Sequence, residues 1–240
     1  LTDIAFNSSF PEKQLEVERG VILEEMAMYL DSPEDAIQDE FDGIIFPNHS
    51  LGINILGTQE SVKGFTREDF GKFISENLST GSVVLSVVGN VSFKKTIRIA
   101  EKYLKDIEAA ETSRKRIAPS GYQSQQLTLE KGNNQAQVAI GKPSFSLKDD
   151  KRLTFFALVN LLGGPGLNSR FNLSLREKYG LVYQIDSNIS SYSDTGIFSI
   201  LFGTDPQNLE KAFKIIDKEL NLLKTKELGG VQLKTVKDQL

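Results

Sequence analysis

Glu18 and Glu25 stand seven residues apart in LEVERGVILEEM, a stretch with the pattern of a helix. At about 3.6 residues per turn they fall one above the other on a single stripe. Ile22 and Tyr29 share that stripe, with Leu15 and Met26 alongside. Two carboxylates along the edge of an apolar face have two physical readings. Either they rim a core and reach back to water or to a lysine, or they serve a metal, because a charge taken out of water is costly unless paired or bound. One helix supplies too few donors to define a metal site, and zinc ordinarily takes several His or carboxylate ligands. A second constellation is LREKYGLVY, residues 175–183. Arg176 lies near the end of a helical pattern, Gly180 breaks it, and Tyr183 begins a strand. Such a helix–turn–strand can bring a guanidinium and a phenol together at one end of a sheet. A surface arginine beside a half-buried tyrosine would leave the same trace.

Several other chemistries are excluded. His49 is the sole histidine and there is no cysteine, so the chain holds no His-rich zinc shell, thiolate metal site, disulfide or Cys-His catalyst. In NHSLG, His49 reads as a loop or packing residue. GGPGLNSR lacks the Lys-Ser/Thr ending of a phosphate-binding loop and reads as a helix stop before a new helix. The net charge of −4 offers no basic surface for nucleic acid. No apolar run approaches the roughly 20 residues of a membrane span.

The elements that must position these residues fall into two parts. After the opening helix, SPEDAIQDEFDGIIF predicts a second, with Ser32 as N-cap and Pro33 at its first position. Thr66 caps a third in TREDFGKFISENL, whose first turn is acidic. SVVLSVVGNV, residues 82–91, predicts a buried strand by its β-branched run, and SFKKTIRIAEKYLKDI an amphipathic helix after it. Residues 108–124 carry Pro, Gly and the basic run SRKR without periodicity, which predicts a linker between domains 1–107 and 125–240. The second domain opens with predicted strands QQLTLE and QAQVAIG around a KGNN turn. A helix through KDDKRLTFFALVNLLGG, another through LNSRFNLSLREKYG, the strands LVYQIDSNISS and GIFSILF, and a helix through QNLEKAFKIIDKELNLLKT complete it.

An internal echo links the halves. TGSVVLSVVGNVSFKKTIRIAEKYL and TGIFSILFGTDPQNLEKAFKIIDKEL each read as Thr-Gly, apolar strand, polar turn and amphipathic helix. The fold class expected is α+β: two related domains, each a mostly antiparallel sheet packed with helices. The opening LTDIAFNSSF and the closing VQLKTVKDQL, which stops in mid-helical pattern, read as an internal stretch of a longer chain.

In combination these motifs resemble the pitrilysin and mitochondrial-processing-peptidase family of zinc peptidases. ERGVILEEM is similar to that family's downstream glutamate helix, and NHSLGINILGTQESV to its HPLG…ILGT loop, with Ser50 in place of Pro. VVLSVVGNVSFKKTIRIAEKYL resembles the end of its first domain, and LNSRFNLSLREKYGLVYQIDSNIS the segment bearing its Arg/Tyr pair. The family's HxxEH motif, with two zinc-binding His and a general-base Glu, is absent from these residues. The resemblance implies that Glu25 is the third ligand of one Zn2+ per intact chain, and that Glu18 is an acid near the zinc-bound water. It implies that Arg176 contacts the substrate carbonyl and Tyr183 the developing oxyanion. It further implies peptide hydrolysis inside a two-domain clamp by a homo-oligomer or a paired homologous half. With at most one of three protein ligands, these residues alone are expected neither to hold zinc nor to be active. A catalytically inactive scaffold or partner subunit of the same fold is the competing expectation.

Overall fold

A computed structural model describes residues 1–111 and 115–238. The basic run SRKR therefore lies partly outside the described residues. The chain forms two compact units: Leu1–Met26 with Leu56–Ile117, and Ala27–Ile55 with Ala118–Leu240. Residues 27–55, which the sequence division places with the first domain, thus pack with the second unit.

The first unit is helical. It contains α1 (Thr2–Phe6), most of α2 (Glu12–Leu30), α4 (Gln59–Gly64), α5 (Arg67–Asn77) and α6 (Phe93–Leu104). Thr58 and Thr66 each cap the helix that follows, in reciprocal boxes with Ser61 and Asp69 that satisfy otherwise orphaned N–H groups. The Arg19 guanidinium, on α2, donates to the carbonyls of Val62, Lys63 and Phe65 at 2.8, 2.5 and 3.1 Å. It thereby closes the C-terminal end of α4, where carbonyls lack helical partners. Phe10 stacks on Phe70 with ring centroids 5.3 Å apart.

Residues 82–91 are not a strand, contrary to the β-branched pattern. No described segment pairs with them, and Val84 and Val88 are fully open to solvent. Strand propensity measures fit to a pleated, half-buried surface, and without a neighbouring ladder that surface does not exist. The same correction applies to QQLTLE, residues 125–130, which is exposed and unpaired in a sheet.

The second unit carries the sheet, a three-stranded antiparallel array in the order β1 (Ala136–Ser144), β3 (Gly196–Thr204), β2 (Val182–Ser191). β3 is central and nearly continuously apolar because both its edges are paired and its faces covered. Its core joins Ile200 and Phe202 to Val159 and Leu162 of α7 (Arg152–Gly163), Phe171, Leu175, Ile185 of β2, and Ala212 and Ile216 of α8 (Leu209–Thr225). A smaller cluster sets Phe41, Ile45 and Phe46, at the end of α3 (Pro33–Ile45), around Ile197. Gly141 permits that approach, since a Cβ there would lie 1.8 Å from the Phe198 carbonyl oxygen and 2.8 Å from the Phe41 ring. The C-terminal helix α9 (Gly230–Asp238) follows, buried only at Val236.

Candidate functional site

Glu18 and Glu25 both lie on α2 in the first unit, and both are exposed. Only Met26 of that helix is buried, so the acids do not border a packed apolar face as the stripe pattern suggests. Among the described residues no three His, Cys, Asp or Glu side chains gather as a metal-binding group. One helix displaying two carboxylates cannot meet zinc's demand for about four ligands. The residues present therefore do not fit a zinc ion by themselves.

Arg176 and Tyr183 belong to the second unit, and the backbone joining them is specifically built. The predicted helix is present, but residues Asn172–Lys178 wind as a π-helix, with each bond spanning one residue more than in an α-helix. Phe171 and Leu175 anchor it, both wholly buried in the core. Gly180, at φ +58°, turns the chain out in the left-handed conformation that only glycine adopts freely. Its N–H donates to the Arg176 carbonyl and that of Leu181 to the Leu175 carbonyl, both at 2.9 Å. Each bond is one residue wider than in the usual glycine closure of a helix, as the π winding requires. The Tyr179 ring lies beneath the ammonium groups of Lys178 and Lys211, 5.3 and 5.0 Å from its centroid, which secures the same corner. The Arg176 side chain is 40% exposed and makes a loose ion pair with Glu177 at 3.8 Å.

Tyr183 is not half-buried. It is 86% exposed although it stands near the start of β2. Val182 pairs with Thr204 and Ile185 with Phe202, so two residues of β2, Tyr183 and Gln184, oppose Gly203 alone. This is a β-bulge, which re-aims side chains at strand ends. The extra residue shifts the alternation: Val182 and Ile185 both face the core, and Tyr183 and Gln184 both face solvent. The Gln184 amide donates to Asp186 at 2.6 Å on the same polar surface. Behind it, the Thr204 hydroxyl donates to the Leu181 carbonyl at 2.6 Å in a fully buried bond.

The sequence pattern places the helix stop at Gly180 and the strand start near Tyr183, where the structure has them, but not the bulge or the Thr204 hydrogen bond. The bulge leaves a signal in the sequence, since Val182 and Ile185 are both apolar at odd spacing, whereas the inward positions that follow, Ser187 and Ile189, keep even spacing from Ile185. His49 is a loop residue as expected, its Nδ1 accepting from the Leu51 N–H at 3.1 Å. Acids also line α3: burial and neighbouring Asp39 push the Asp42 carboxyl up to about 6. Burial, with Glu40 and Asp35 nearby, raises Asp39 as well.

The profile of the peptidase M16 inactive domain matches residues 64–240. An uncharacterised zinc protease of Bacillus subtilis is 32% identical over all 240 residues, which span 58% of its length. A probable mitochondrial-processing peptidase subunit beta of Schizosaccharomyces pombe is 28% identical over 85% of this chain and 48% of its own. The peptidase M16 inactive domain structure from Pseudomonas fluorescens superposes with a TM-score of 0.90 at 20% identity, over 99% of this chain and 58% of that one. A chain of complex III2 from Candida albicans reaches 0.79 at 17% identity, over 99% and 57%. At these identities the structural likeness establishes the α+β fold alone.

Proposed function

Since this chain belongs to the peptidase M16 family, we propose that it is part of a zinc-dependent endopeptidase acting on peptides or unfolded polypeptide segments. The observation that carries the reading is the Arg176–Tyr183 corner. A helix end closed by glycine displays a cationic fork, and a bulge seven residues later projects a phenol into solvent from the edge strand of the sheet. Planar guanidinium donors suit a peptide carbonyl, and a phenolic O–H suits the oxyanion that forms as the scissile bond is attacked. In this role Arg176 orients the substrate and Tyr183 stabilises charge that develops in the transition state.

Glu25 contributes one carboxylate to a zinc ion whose other ligands come from outside these 240 residues, and Glu18 is an acid near that metal. When bound, zinc supplies Lewis acidity and a water of lowered pKa. The two exposed acids on one helix support this assignment, because they are free to meet further ligands. These residues alone are inactive and hold no stoichiometric zinc. The working assembly is a homo-oligomer or a pair of homologous halves, as suits a family with a named subunit among its relatives.

A second reading has its own support, because the matched family model is described as an inactive domain. In that reading the protein is a scaffold or partner subunit. The full-length protein separates the two. Cleavage of an unstructured peptide, abolished by a chelator and restored by zinc, is expected. Loss of bound zinc in Glu25→Gln is expected with it. A full-length protein that contains zinc but cleaves nothing would favour the scaffold.

A further inference from the structure

We propose that Thr204 is a positioning residue for Tyr183, acting through the peptide group that joins Leu181 to Val182. This inference rests on the reading of Tyr183 as an oxyanion donor.

Four residues, Tyr179 to Val182, join the π-helix to the bulge, and both backbone groups of Leu181 are held. The Leu181 N–H is held by the Leu175 carbonyl at 2.9 Å, which ties it to the helix that carries Arg176. The Leu181 carbonyl is held by the Thr204 hydroxyl at 2.6 Å, which ties it to the central strand. Thr204 is 2% exposed, and its backbone lies opposite Ala136 on one side and Val182 on the other. The Thr204 hydroxyl thus fixes the Leu181–Val182 peptide, one residue ahead of the bulge, by a side-chain bond added to the sheet ladder. A bulge is the least regular point of a ladder, and its residues lose the paired bonds that elsewhere fix side-chain direction. β2 is an edge strand paired with β3 alone, so without the hydroxyl the 181–184 segment keeps only that interrupted ladder. The exposed phenol, with no packing of its own to hold it, then loses its orientation. A displacement of about 1 Å at a reacting group costs on the order of 10²-fold in rate.

Threonine is specifically suited to this. Valine has the same shape without the hydroxyl, and serine has the hydroxyl without the methyl. The test uses the full-length protein in three variants, Thr204→Val, Thr204→Ser and Tyr183→Phe, with peptide kinetics and hydrogen exchange of the 179–185 segment. The expected result for Thr204→Val is a fall in kcat of about 10-fold or more with KM nearly unchanged. Exchange should be faster at 181–184 while β1 and β3 keep their protection. Thr204→Ser should restore both measures to near the parent. Exchange in Thr204→Val that is unchanged, or raised equally across the sheet, overturns this inference alone. A Tyr183→Phe variant that loses kcat while Thr204→Val does not has the same meaning. A fully active Tyr183→Phe overturns the reading of Tyr183 and this inference with it.

Discussion

SVVLSVVGNV and GIFSILFGT are near equals in apolar content, the first the richer in β-branched residues, and each precedes an amphipathic helix. They end in opposite states. The second is β3, central in its sheet, with Ile200 wholly buried. The first, in the other unit, is an extended run with Val88 98% exposed. Strand formation thus depends on what lies alongside as much as on the residues themselves. The difference extends to the units as wholes. The second buries Phe171, Leu175, Ile185 and Ile216 around one sheet, whereas Met26 and Val62 are the buried hydrophobic residues of the first among those described. The corner that carries Arg176 and Tyr183 belongs to the firmly packed unit, and the two glutamates to the sparsely packed one.

If that contrast is real, substitutions should cost stability in proportion to it. Gly141→Val should have the largest effect, because any Cβ meets the Phe198 carbonyl and the Phe41 ring at impossible distances. A loss of about 3 kcal/mol or more is expected by urea unfolding followed by circular dichroism. Leu175→Ala should follow. It empties a wholly buried site beneath the π-helix and should cost about 2–5 kcal/mol.

Asp42→Asn is expected to stabilise, and only at the higher pH. The Asp42 carboxyl titrates at about 6 in the fold against an ordinary value of 3.8. Its protonated form is the one the fold prefers, so its contribution is full below 3.8 and is lost as pH rises through about 6. Because Asp42 is only partly buried, solvent screening should reduce the gain in the Asn variant to about 1 kcal/mol at pH 7.5. At pH 3.5 the two proteins should unfold together. A gain equal at both pH values would show that the carboxyl charge is not the cause.

Val88→Ser should do least, within about 0.5 kcal/mol, since that side chain is already in water. A loss of 2 kcal/mol there would break the comparison, because it would mean that the 82–91 run is covered by protein.

Most helices were legible because their ends are written locally. Ser32 and Pro33 open α3, and Thr66 with Asp69 opens α5, each within four residues of chain. The Arg/Tyr corner was partly legible for the same reason, since Gly180 is a local stop. Features set by distant partners were not. Phe41 meets Gly141 across a hundred residues, and Thr204 reaches Leu181 from the far end of another strand. The π winding of Asn172–Lys178 also leaves no local mark, since Phe171 and Leu175 are spaced as in an ordinary α-helix. The acids of α2 show the limit from the other side. Their seven-residue spacing marks a common stripe, but spacing alone does not say whether that stripe faces protein or water.

In the proposed function the bulge presents Tyr183 for chemistry. Tyr183→Phe in the full-length protein removes one hydroxyl from an exposed ring and leaves the core untouched. Steady-state cleavage of an unstructured peptide by this variant, with zinc content and melting temperature measured alongside, tests it most directly. A fall in kcat of about 10²-fold, as for other oxyanion donors, is predicted at unchanged zinc content and a melting temperature within a few degrees of the parent. Full activity in the phenylalanine variant would contradict the account.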